Sequence, residues 1–207
     1  MSFSFGLGVA SVFSGAVPLL AGFSLFRRLR PDLSFFAFLF LFAFFVDLAT
    51  LHYYGTKNLH WMHHAYTPIE YVFIVGTFSL WQANQRFRRI LRLSIPVYLL
   101  IGVVDIFWTG DLSQLNGTTQ SIANTVYVII SGITLFNLQK SDIGSIHKEC
   151  SFWISSGLLV YASGSLIHFA FHSLYTSMWL VGVHALLNIS ANIAYAVGFI
   201  CQARRSD

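Results

Sequence analysis

Charge is what this chain has least of. Lys, Arg, Asp and Glu together make up 10% of its 207 residues, against about a quarter in a soluble domain, so a water-facing shell of ordinary density is excluded. Cysteine is nearly absent: Cys150 and Cys201 are the two present, too few for the disulfide framework of a secreted domain, and they read as free thiols. Lysine occurs only at positions 57, 140 and 148, all between apolar runs, which removes the intramembrane Schiff-base lysine that a retinal protein needs. There is no GxSxG nucleophile elbow and no Walker loop, so an ordinary serine hydrolase and a phosphate-cradling NTPase are unsupported. No Lys or Arg precedes Arg27. The first apolar run therefore lacks the basic start of a cleaved signal peptide and is expected to remain as an anchor.

What is abundant points one way. Hydrophobic residues reach 56% and aromatics 17%, with a mean hydropathy of +0.66, the composition of an integral membrane protein. Twenty-one Phe supply lipid-facing and packing surface, and 15 Gly let helices approach closely. Apolar runs bounded by charge or turn residues predict seven spans, roughly 6–26, 35–54, 65–83, 90–108, 120–138, 151–171 and 178–200, each about 20 residues as a bilayer requires. Their connectors, such as RRLRPDL, GTKNLH and ANQRFRRILR, are too short to bound a second domain. The expectation is an all-α, polytopic bundle of seven transmembrane helices forming a single domain over residues 1–207.

Basic residues orient that bundle. Arg27, Arg28 and Arg30 follow the first span; Arg86, Arg88, Arg89 and Arg92 the third; Lys140 and Lys148 the fifth; Arg204 and Arg205 the seventh. Lys57 alone falls on the other side. The positive-inside bias predicts an external N-terminus and a cytoplasmic C-terminus. It also accounts for the net charge of +4, so no nucleic-acid partner is implied.

With that orientation, the titratable groups collect at one depth. The segment HWMHHAYTPIEY carries His60, His63, His64 and Glu70, while His52, His168, His172 and His184 lie near the outer ends of their spans. Asp47, Asp105 and Asn124 fall in the outer halves of theirs. Ionisable groups inside a span are costly and normally face the bundle interior or a water-filled cavity. The layer thus predicts an outward-facing polar pocket, with Asp47, His52, Glu70, Asp105, Asn124, His184, Asn188 and Asn192 as its candidate ligand-binding residues.

Three constellations inside the layer each carry two readings. His168 and His172 form H-x3-H, which sets two imidazoles on one helical face, and His184 could complete a three-ligand zinc site. Without the glutamate of HExxH the same pair equally serves interhelical hydrogen bonds. His184, Asn188 and Asn192 make a four-residue stripe in HALLNISAN, either a hydrogen-bonded seam or the wall of a ligand or proton path. In TPIE, Thr67, Pro68 and Glu70 fit a capping box that would start a helix there; a start nearer His60, with Pro68 inside the helix, is the alternative.

The segments YTPIEYVFIVGTFSLWQ, FWISSGLLVYASGSLIHFA and HALLNISANIAYAVGFICQ resemble the third, sixth and seventh helices of small uncharacterised bacterial seven-helix inner-membrane proteins. That resemblance implies a multi-pass bundle in the bacterial inner membrane, in contact with membrane lipids, and supplies no reaction. On H-x3-H alone the chain is also similar to the seven-helix hydrolases related to alkaline ceramidases and adiponectin receptors, whose serine, histidine and aspartate set it does not match. The expected function is a sensor or binding protein for a small ligand, lipid headgroup or metal ion, with any signalling output through a separate partner. An intramembrane metal-dependent hydrolase and a small-solute or proton-coupled transporter are the alternatives.

Overall fold

A computed structural model describes residues 3–53, 60–109, 117–140, 145–172 and 178–205; the side chains of 3, 4, 60, 108, 109, 169–172 and 178 lie outside the description. Among the described residues the regular structure is entirely helical: α1 (Phe3–Ser14), α2 (Ala16–Ser24), α3 (Pro31–His52), α4 (His60–Trp81), α5 (Gln85–Thr109), α6 (Gly117–Lys140), α7 (Cys150–His172) and α8 (Met178–Arg205). Short 3-10 turns at Phe26–Arg28 and Ile146–Lys148 precede α3 and α7.

The first apolar run is two helices rather than one. Pro18 has no N–H to give the Ser14 carbonyl, and its ring crowds that oxygen, so the regular ladder cannot pass unbroken. The chain adjusts with a tighter bond from Gly15 N to Val12 O at 3.1 Å, while Ser14 Oγ donates to Ser11 O at 2.6 Å. Both segments still form one apolar stretch, Phe5–Ser24. Together with Pro31–His52, Gln85–Phe107, Gly117–Lys140, Cys150–His168 and Trp179–Arg205, it makes six helices long and apolar enough to cross a bilayer. The 22-residue α4 is absent from that set because its first half, HWMHHAYTPIE, is diluted by histidines and Glu70.

Neighbouring helices define the bundle. α7 packs between α6 and α8, α8 rests on α1 and α2, α2 on α3, α3 on α4, and α4 reaches α6, while α5 leans on α4 and meets α6 only lightly. Aromatic side chains fill the interior between α3 and α8, where Phe40 stands 5.2 Å from Tyr195 and edge-on to Phe199 at 5.9 Å between ring centroids. Tyr71 of α4 stacks on Tyr98 of α5 at 3.9 Å.

Polarity is inverted relative to a soluble domain. Phe107 and Trp179 are 85% and 76% exposed, while Thr77, Asn124, Ser131 and Ser155 are wholly buried. That distribution suits a lipid surround, in which apolar side chains face outward and polar ones pair between helices.

Local chemistry closes the helix ends that carry the arginines. Asn84 Oδ1 accepts from Arg86 N at 2.9 Å and Phe87 N at 3.3 Å, an N-cap that starts α5 earlier than the apolar run alone predicts. Arg88 returns to donate from Nε and Nη2 to Gln82 O, at 3.2 and 2.7 Å, satisfying a carbonyl just past the end of α4. Gln82 Nε2 reaches Thr134 Oγ1 of α6 at 3.0 Å, Trp81 Nε1 donates to Asp32 of α3, and Arg205 pairs with Glu149. These bonds tie neighbouring helices together, α3 to α4, α4 to α6, and α8 to the residue before α7, at one basic pole, which also holds the free cysteines Cys150 and Cys201. Lys57 lies outside the described residues.

Candidate functional site

At the opposite pole the helices surround a cavity of about 310 Å³. Each wall is one face of a helix. α3 presents Phe40, Ala43 and Asp47; α4 presents His63, Tyr66 and Glu70; α6 presents Gln120; α7 presents Tyr161, Ser165 and His168; α8 presents His184, Asn188, Asn192 and Tyr195, with Gly15 at the α1–α2 junction. The steps of three and four residues are those of one helical face.

Glu70 reaches the cavity because α4 does not begin at Thr67. The helix starts at His60 and runs through Pro68, so the capping box is replaced by the alternative helix start. Thr67 Oγ1 lies 2.8 Å from His63 O, one turn back, and 2.8 Å from Gln120 Oε1 on α6. Pro68 is tolerated inside the helix although it cannot donate to the His64 carbonyl. Glu70 is 3% exposed and accepts from Tyr66 Oη and Gln120 Nε2, both at 3.4 Å. Those distances are long beside the 2.7–2.9 Å usual for bonds to a charged oxygen. Its carboxyl therefore retains accepting capacity toward the cavity.

The α8 stripe has a second job besides lining the cavity. Asn188 Nδ2 donates to Ser11 Oγ and Asn192 Nδ2 to Ser14 Oγ, each at 2.8 Å. Two successive turns of α8 thus clasp the last turn of α1, just before the helix break made by Pro18. His184, one turn further out, is stacked against His168 of α7, with ring centroids 4.9 Å apart and planes 27° from parallel. His184 Nδ1 is buried without a hydrogen-bond partner among the described residues.

The predicted metal set was His168, His172 and His184. The two members that can be located, His168 and His184, do come together; the side chain of His172 lies outside the described residues, as does that of His60. Among the described residues no group of three His, Cys, Asp or Glu side chains is arranged to hold a metal ion.

Of the predicted ligand-binding residues, Asp47, Glu70, His184, Asn188 and Asn192 line the cavity. Three others are placed elsewhere. Asp105 is half-buried on α5, which stands outside the ring that encloses the cavity. His52 is exposed and meets Tyr53 edge-on at 4.7 Å. Asn124 is wholly buried on α6, one turn beyond Gln120, and neither amide atom has a hydrogen-bond partner among the described residues. Conversely, His63, Tyr66, Gln120, Tyr161 and Ser165 line the cavity without having been assigned to it. Their signal was present as spacing: H-x2-Y-x3-E in α4 and Y-x3-S-x2-H in α7 each mark one face, but tyrosine and serine recur in nearly every span.

A second hollow, of about 340 Å³, lies among α3, α4 and α5 at the basic pole. Its acid, Asp32, is already engaged by Arg30 at 2.7 Å and by Trp81, and its remaining wall is largely apolar. Of these two hollows, the histidine-lined cavity is the one onto which several ionisable side chains converge. Comparisons with known protein families, with curated proteins and with solved structures give no match to this chain.

Proposed function

We propose that this chain is a seven-span membrane protein, N-terminus outside and C-terminus cytoplasmic, whose outward-facing cavity binds a small polar solute in the role of a sensor or binding protein. The observation that carries the binding reading is convergence: Asp47, Glu70, His63, His168 and His184 come from four helices onto one cavity of about 310 Å³. Intramembrane ionisable residues gathered around a shared space are the usual mark of a ligand or ion site, and this volume lies at the small end of the range for such pockets.

Three further points support the reading. In favour of α4 as a seventh span, its 22 residues extend about 33 Å as a helix and its polar residues Glu70 and Thr67 are buried within the bundle. The basic pole would face the cytoplasm by the positive-inside bias, which leaves the cavity at the outer side. The resemblance to bacterial inner-membrane bundles favours that membrane, with its lipids as surroundings and a separate protein as the route for any output.

The test is retention of ligand through purification. Mass spectrometry of the denatured wild-type protein should release a small molecule in near-stoichiometric amount. Ala43→Phe, which fills the cavity from α3, should abolish retention while leaving a monodisperse protein. Equal retention by the filled variant would place the molecule elsewhere and defeat the reading.

A further inference from the structure

We infer that the solute bound by this cavity is a small organic cation carrying a protonated primary amine; the inference rests on the cavity being a binding site. The first argument is the sign of charge. Asp47 and Glu70 are the acids on the wall, the other ionisable groups that line it besides tyrosine phenols are His63, His168 and His184, and no Lys or Arg is among the lining residues. None of the Lys and Arg among the described residues lines it. Among the described residues an anionic solute would therefore meet two carboxyls with no permanent cation to offset them, whereas an ammonium group would be held by them.

The second argument is hydrogen-bond inventory. A primary ammonium has three donors and no acceptor, so its site must present acceptors. Glu70 keeps accepting capacity, since its two contacts are both 3.4 Å. The Nδ1 of His184, on the cavity wall, has no hydrogen-bond partner among the described residues. Buried polar atoms in that condition are uncommon and call for a partner. Asp47, Glu70, Ser165 and His184 approach from α3, α4, α7 and α8, so three N–H bonds have acceptors on different sides.

The third argument is the wall between those acceptors. Phe40, Tyr66, Tyr161 and Tyr195 line the same cavity. Aromatic faces attract a cation through the ring quadrupole and also accommodate an apolar body behind the amine. Carboxyls, an unpartnered imidazole nitrogen and aromatic rings together fit an amine with a short apolar or aromatic tail better than a sugar, a phosphate or a carboxylic acid.

Three compounds of matched shape separate the possibilities: 2-phenylethylammonium, 2-phenylethanol and phenylacetate, each titrated against the full chain in lipid nanodiscs while thermal unfolding is followed. The cation alone should raise the midpoint saturably. Glu70→Gln and Asp47→Asn, both nearly isosteric, should each weaken that response at least tenfold in concentration, and Asp105→Asn, whose carboxyl stands off the cavity, should keep it. If one acid variant fails to fold, the other carries the comparison. An equal response to the alcohol or to phenylacetate, or a cation response indifferent to both acids, overturns the inference and leaves solute binding standing. Retention of a neutral or acidic molecule on purification does the same. No response to any compound, in a protein that also retains nothing on purification, defeats the cation and the binding site together.

Discussion

Replacing Gly157 with alanine tests a close approach of α7 to α8. An added Cβ at 157 would stand 3.0 Å from Cε1 of Tyr195, 3.1 Å from the Ala191 carbonyl oxygen and 3.1 Å from the Ala194 Cβ. Carbon contacts are comfortable near 3.5–4.0 Å, so α7 and α8 must part by about half an ångström. A flexible side-chain tip cannot absorb this, because a backbone oxygen and an aromatic ring are among the atoms met. Overpacking of this kind costs about 1–3 kcal/mol, against which alanine returns up to about 1 kcal/mol of helix propensity. Gly132 on α6 is the internal control, since a Cβ there meets nothing within 4 Å. Taking the difference between Gly157→Ala and Gly132→Ala removes the propensity term and should leave about 1–3 kcal/mol. Reversible unfolding in mixed micelles or steric trapping in bicelles measures both. Gly157→Ala matching or exceeding Gly132→Ala in stability would refute the close-approach argument.

Other contacts predict their own outcomes. A double-mutant cycle on Asn192→Ala and Ser14→Ala should give a coupling of about 0.6 kcal/mol, the typical value for an interhelical bond in lipid, and zero coupling would dissolve the clasp inferred from the 2.8 Å bond. Arg88→Ala should cost about 1 kcal/mol by exposing the Gln82 carbonyl it caps, while Arg89→Ala, at an exposed position with no comparable bond, should change stability by less than about 0.5 kcal/mol; indistinguishable variants would count against the cap. On a background without Cys150 and Cys201, a cysteine at Gly117 should react with an impermeant thiol reagent in intact cells and one at Ser145 should not. The opposite pattern would reverse the proposed orientation.

The sequence by itself determined the helical class, the approximate extent of the apolar helices and the concentration of Lys and Arg at one end. These follow from properties local to the chain: apolar run length, connector composition and charge bias. It also determined which residues share a depth, because each helical residue advances about 1.5 Å along the axis. Asp47, Glu70, Asp105 and His184 were grouped on that basis. One local ambiguity it left open: the TPIE segment fits both a helix start and a helix interior, and only the packing of α4 against α6, through Thr67 and Gln120, selects the interior.

Rotation about each helix axis was decided by the tertiary structure alone. Helices such as α3 and α7 are apolar on nearly every side, so periodicity does not mark one face as inward, and tilt and rotation are set by the neighbours a helix packs against. Asp105 and Glu70 illustrate the consequence: both were assigned to one layer, yet α5 stands outside the ring and takes Asp105 away from the cavity, while α4 turns Glu70 into it. The same rotation aims Tyr161 and Ser165 at the cavity with His168, and gives Asn188 and Asn192 their serine partners nearly the whole chain away. Depth is written along the chain, but direction around the axis exists only once neighbouring helices are in contact.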